Sequence, residues 1–241
     1  MNWEYFFNLS RKSFYTSFAM EFFSMLLICI YFLISAKKIT TKYLVILAIS
    51  SLLQVLAVQN NELKHGSAAY SQYIDQRLMY IYLIIEIGCC LFYIRANIQS
   101  IIAKRLTLAC LIAYAIYTIT YWSLHYKEKY LPAHIEITEG FIIILFCLYY
   151  FYELFTLQPD KNLPREPSFW AISGMLFLFC AITPLFLFYD YLRKSISPLA
   201  NSLYAINNIS YSLLFITFIV TILLDQKKKR STFHFPNYYP V

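Results

Sequence analysis

The stretch IEITEGFIIILFCLYYFYELFTL, residues Ile135–Leu157, is an apolar run broken by acids at Glu136, Glu139 and Glu153. About 20 apolar residues in a helix cover the ~30 Å hydrocarbon core of a bilayer, so this run is long enough to cross one. Glu139 and Glu153 are fourteen residues apart. At ~100° per residue their side chains fall roughly 40° from each other on a helix, with Ile143 and Tyr150 on the same stripe. Glu153 is placed near one end of the span among Tyr149, Tyr150 and Tyr152, as in an interfacial aromatic belt, whereas Glu139 lies about one turn inside the other end. Carboxylates within a span are costly and face a protein interior or a wet cavity. This helix is therefore expected to have an inside to face.

The rest of the chain has the same character. Of its 241 residues, 60% are hydrophobic, 20% aromatic and only 14% charged, which excludes a water-covered globular domain and indicates a polytopic helical membrane protein. Seven apolar runs predict an all-α bundle with spans at about 14–35, 43–58, 78–94, 106–124, 135–157, 169–189 and 203–224. The connections are short apart from a polar loop over Gln59–Arg77, and residues 225–241 form a basic, aromatic tail. No internal repeat appears, so the bundle reads as one domain. Arg11 and Lys12 ahead of the first run resemble the start of a signal peptide. That run is too long for an h-region, contains Glu21 and lacks an A-x-A site, so it is expected to be retained.

The net charge of +7 arises in loops and in the tail, which argues against nucleic-acid binding and for a topology signal. Counting Lys and Arg on alternate sides puts 12 with the loops at 37–42, 95–105 and 161–165 and the cluster Lys227, Lys228, Lys229 and Arg230, against 8 on the other side. The richer side is expected to be cytoplasmic, with the N-terminus outside. The basic cluster is the ordinary anchor to anionic lipid. With Phe233, Phe235, Tyr238 and Tyr239 beyond it, it is also a candidate dock for a cytoplasmic partner.

Six of the predicted helices carry polar residues in their outer or central parts. Glu21 lies roughly 11 Å down the first span and Glu86 about 12 Å down the third, at 1.5 Å per residue. Gln54, Tyr114, Glu139, Asn207 and Asn208 complete a candidate ligand-binding set. For the hydroxyls, interhelical hydrogen bonds of ~0.6 kcal/mol each are a sufficient reading. For Glu21, Glu86 and Glu139 that reading is weaker, because no Lys or Arg lies within a span to neutralise them. They must be protonated, hydrated, or paired with a ligand or cation.

Other chemistry is mostly subtracted. All six cysteines lie in apolar runs and show no metal-ligand spacing, and the four histidines lie in loops or the tail without an H-E-x-x-H pattern, so neither a metal nor another cofactor is expected. No nucleotide motif appears, and no nucleophile–base pair, so an enzyme is disfavoured. Glycine is scarce and Pro184 is the lone proline within a predicted span, which favours a compact bundle over an alternating-access machine.

The Pro167-Ser168-Phe169-Trp170 start of the sixth span, Gly174 after it and the Ile206-Asn207-Asn208-Ile209 segment of the seventh resemble a group of uncharacterised bacterial seven-helix membrane proteins. The resemblance implies a multi-pass protein of the bacterial inner membrane without an output domain, similar to membrane modules that accompany sensor histidine kinases. It transfers no site residues. Two functions follow as expectations. One is a receptor-like sensor that binds a small amphipathic or cationic ligand from outside and signals through a separate partner. The other is a carrier or channel in which the intramembrane carboxylates take protons or cations.

Overall fold

The computed structural model describes residues 19–31, 39–65, 68–125, 132–157, 162–195 and 197–233. These residues are helical throughout apart from short connections, and no strand occurs among them. The helices are α1 (Ala19–Tyr31), α2 (Ile39–His65), α3 (Ala68–Asn97), α4 (Ile101–Leu124), α5 (Ala133–Leu157), α6 (Pro167–Ser195) and α7 (Ser197–Phe233), with a single 3-10 turn at Leu163–Arg165. Five stretches are long and apolar enough to cross a membrane: Met79–Asn97, Ile101–Leu124, Ala133–Leu157, Pro167–Phe188 and Ile206–Lys227. In α1 and α2 the apolar portions, Ala19–Tyr31 and Thr40–Gln54, are shorter. The remainder of the expected first span, and everything after Phe233, lie outside the described residues.

Several expected boundaries are corrected. The polar loop expected over Gln59–Arg77 is helix up to His65 and again from Ala68. The expected fourth span begins not at Leu106 but at Ile101, so Lys104 and Arg105 sit in its first two turns. The tail expected from residue 225 is helical to Phe233, so the Lys227–Arg230 cluster extends α7 rather than following it. One cause explains all three. A run of Gln, Glu, Lys and Arg marks where a helix leaves hydrocarbon, but these residues are good helix formers.

The packing is a bundle in which α6 lies against α5 and α7, while α2 pairs with α3 and α3 also meets α4 and α5. Helix α5 shows why lipid must surround it. One stripe, Glu139, Ile143, Cys147, Tyr150 and Leu154, is buried, while the opposite stripe, Phe141, Leu145, Leu148, Tyr152 and Phe155, is exposed and almost wholly apolar. An exposed apolar stripe of this length would associate or aggregate in water. Helix α4 is more peripheral still: Ala103, Thr107, Tyr114 and Thr118 are its buried residues, and Ile112, Ile116 and Ile119 face outward.

Hydrogen bonds and rings fasten the helices where apolar packing alone would let them slide. The Thr221 hydroxyl lies 3.1 Å from the Pro167 carbonyl and 2.8 Å from that of Thr217, tying α7 to the start of α6. Ser51 and Tyr82 hydroxyls meet at 3.1 Å between α2 and α3. Tyr43 stacks on Phe92 at 5.5 Å across the same pair, and Phe169 meets Phe151 edge-on at 6.0 Å between α6 and α5. The Trp170 indole N–H donates to the Pro164 carbonyl at 3.0 Å, fixing the 3-10 turn against α6.

Candidate functional site

In the half of the bundle where α5 begins, side chains from α1, α2, α3, α5, α6 and α7 surround a pocket of about 80 Å³. That leaves room for a small ligand or a few waters and is below the roughly 300–1,000 Å³ of sites for drug-sized molecules. Its polar lining is Gln54, Tyr82, Glu86, Glu136, Glu139, Asn207, Asn208 and Tyr211. Its apolar lining is Met20, Met79, Leu83, Phe179, Ile182 and Phe186. No Lys, Arg or His is among them.

Helical periodicity explains why these residues converge. Tyr82, Leu83 and Glu86 share one face of α3 at i, i+1 and i+4, and Asn207, Asn208 and Tyr211 do the same on α7. On α6, Phe179, Ile182 and Phe186 follow the i, i+3, i+7 stripe that faces the bundle.

Glu86 is 1% exposed and Glu139 is 2% exposed. The Tyr211 hydroxyl donates to Glu86 Oε1 at 2.7 Å, a short contact between α7 and α3. The Tyr114 hydroxyl donates to Glu139 Oε2 at 3.2 Å and lies 3.5 Å from the Ile135 carbonyl. Gln54 points its amide nitrogen at the Met79 sulfur, 2.7 Å away. Two buried acceptors, Glu139 Oε1 and Asn207 Oδ1, have no hydrogen-bond partner among the described residues. The side-chain donors Tyr211, Tyr114 and Gln54 are thus engaged with neighbouring residues, while Glu139 Oε1 and Asn207 Oδ1 are unmet among the described residues.

Of the seven candidate residues read from the sequence, Gln54, Glu86, Glu139, Asn207 and Asn208 line this pocket. Tyr114 stands behind it, holding Glu139. Glu21 is not part of the lining and is half-buried; the Ser24 hydroxyl donates to its backbone carbonyl at 2.8 Å. The pocket also draws on residues with no polar signal, Met20, Met79, Phe179, Ile182 and Phe186. In the sequence these are ordinary apolar residues of apolar runs. In the basic cluster, Lys227 is exposed at the end of α7.

At the opposite end of α5, Glu153 has a different role from the belt residue expected. It is 5% exposed. Its Oε2 accepts from the Gln99 amide at 2.6 Å and its Oε1 from the Ser100 amide at 3.0 Å. Ser100 is itself the N-cap of α4, its hydroxyl accepting from the Ala103 amide at 3.4 Å. A carboxylate at a helix N-terminus meets both unpaired N–H groups and the positive end of the helix dipole. Glu153, Tyr150, Asn97, Gln99, Leu154, Glu166 and Ser168 line a second pocket here, where the Tyr150 hydroxyl donates to Ser168 at 2.9 Å.

Comparison with protein-family models, with curated proteins and with solved structures finds no match for this chain.

Proposed function

We propose that the protein is a receptor-like seven-span membrane protein of the bacterial inner membrane, N-terminus outside, that binds a small cationic ligand in the α1–α3/α5–α7 pocket and signals through a separate partner. The observation that carries the reading is the charge of that pocket: Glu86 and Glu139 are buried in its wall, and no Lys, Arg or His is among its lining residues. A carboxylate in a low-dielectric surrounding seeks a positive counterpart, and a ligand is the one that the pocket admits. The likeness of the Pro167–Trp170, Gly174 and Ile206–Ile209 segments to kinase-associated membrane modules supports a separate signalling partner. The helical basic extension at Lys227–Arg230 supplies a surface on which such a partner would dock.

Glu86→Gln tests the reading at the site. Glutamine keeps an oxygen to accept from Tyr211, so the protein should remain folded and monodisperse. Cation binding in nanodiscs should nevertheless weaken at least about tenfold, since a charge contact at an effective dielectric of ~20 exceeds the ~1.4 kcal/mol that a factor of ten represents. Unchanged affinity for every cation tried would remove Glu86 from the site.

The orientation has its own test, derived from the 12-to-8 count of basic residues. Reporters active only in the cytoplasm should work when fused after Val241 or within residues 37–42 and fail at His65 or Lys127. A periplasmically active reporter at the C-terminus would invert the assignment and place the pocket on the cytoplasmic side.

The arrangement of Glu86 and Glu139 favours a second reading. They sit on different helices yet line one pocket, as carboxylates of a proton- or cation-coupled carrier do. Proteoliposomes under a proton gradient separate the two: solute or cation flux that depends on Glu139 supports the carrier, and binding without flux supports the receptor.

A further inference from the structure

We infer that the ligand class of this pocket is a primary or secondary organic ammonium with a short hydrocarbon body, an inference that rests on the cation-binding reading above. The hydrogen-bonding balance of the pocket carries it. Tyr211 and Tyr114 already give their hydroxyl protons to Glu86 and Glu139, and Gln54 turns its amide nitrogen to Met79. Glu139 Oε1 and Asn207 Oδ1, both buried, accept nothing from the described residues. Glu139 is 2% exposed, so its carboxylate is held at the pocket wall rather than in solvent. A buried acceptor left unmet is costly, so the complementary ligand is one that brings N–H donors as well as positive charge.

The remaining lining selects among cations. A hard metal ion wants six or more oxygens at short range, whereas this pocket also presents Met20, Leu83, Phe179, Ile182 and Phe186. Among the described residues no group of three or more His, Cys, Asp or Glu is placed to hold a metal ion. Thioether, aliphatic and phenyl surface suits a hydrocarbon body, and aromatic faces tolerate a neighbouring cation. A quaternary ammonium would satisfy the charge and the aromatic wall but has no N–H for Glu139 Oε1 or Asn207 Oδ1. The pocket should therefore discriminate between two cations of equal charge by their donors alone.

The test is a binding series on the full-length protein in nanodiscs, using hexylammonium, hexyltrimethylammonium, hexanol and sodium ion. Hexylammonium should bind, hexyltrimethylammonium at least about tenfold more weakly, and hexanol and sodium not measurably at the same concentrations. Asn207→Leu should weaken hexylammonium by more than it weakens hexyltrimethylammonium, a difference that a misfolded variant would not show. Equal affinity for the two ammonium ions, or displacement of hexylammonium by equimolar sodium, overturns the donor-based ligand class and leaves the cation-binding reading standing. Hexanol binding as tightly as hexylammonium, or neither ammonium binding at millimolar concentration, overturns the cation-binding reading and the ligand class together.

Discussion

Glu153→Leu will destabilise the folded protein by about 2–4 kcal/mol, as a lowered unfolding midpoint in detergent or nanodiscs. The substitution removes the acceptor of two backbone amides, Gln99 and Ser100, at 2.6 and 3.0 Å. Hydrogen bonds to a charged acceptor contribute ~1.5–3 kcal/mol each, and part of that loss is recovered where water reaches the freed amides at the bundle end. The favourable interaction of a carboxylate with the α4 N-terminus, roughly 0.3–1 kcal/mol, is lost with it. Glu153→Gln, which retains one oxygen acceptor, should cost about half as much. Hydrogen exchange at the Gln99 and Ser100 amides should accelerate in the leucine variant and less so in the glutamine variant. A leucine variant within about 0.5 kcal/mol of the parent, with unchanged exchange, would show that α4 is held by Ser100 and by packing alone.

The second large effect is expected at Gly140, where α5 and α6 approach most closely among the described glycines along with Gly174 between α6 and α7. A Cβ built on Gly140 collides with Thr183 Oγ1, and one on Gly174 collides with Thr217 Oγ1. Thr183 cannot turn aside freely. Its Cβ would lie 3.2 Å and its Cγ2 3.4 Å from the added carbon, and a β-branched side chain on a helix has few rotamers. Gly140→Val should therefore force α5 and α6 apart and cost about 2–3 kcal/mol or more, the upper range for overpacking a tight interface. The rescue is specific. Thr183 Oγ1 is buried without a hydrogen-bond partner among the described residues, so Thr183→Ala alone should be nearly neutral. Combined with Gly140→Ala it should restore most of what Gly140→Ala loses. A double-mutant cycle with no coupling between positions 140 and 183 would contradict the close approach of these helices.

These two sites and the pocket lie on one helix. The inward stripe of α5 carries Glu139 toward the pocket and Glu153 toward the α3–α4 turn, with Gly140, Ile143, Cys147 and Tyr150 between them in the core. Both carboxylates contact α4 or its N-terminal turn, Glu139 through Tyr114 and Glu153 through Gln99 and Ser100. The otherwise peripheral α4 is thus held to the bundle at two depths by polar contacts.

The sequence by itself determined that the chain is helical, that lipid surrounds much of it, and which face of α5 turns inward. Those properties depend on composition and on a period of 3.6 residues, both of which are local. It also marked Glu86, Glu139, Gln54 and Asn207 as unusual, because a polar residue in an apolar run is conspicuous wherever the run folds. It misplaced helix ends at Gln59–Arg77, Lys104–Arg105 and Lys227–Arg230, because polarity reports the edge of hydrocarbon and not the end of a helix. What only the tertiary structure decided is pairing. Tyr211 reaches Glu86 across 125 positions of chain and Glu153 reaches Gln99 across 54, and no local pattern encodes contacts at such separations. The same holds for the apolar wall of the pocket: Met20, Phe179 and Phe186 are indistinguishable in sequence from their lipid-facing neighbours, and only the rotation of each helix against the others separates the two.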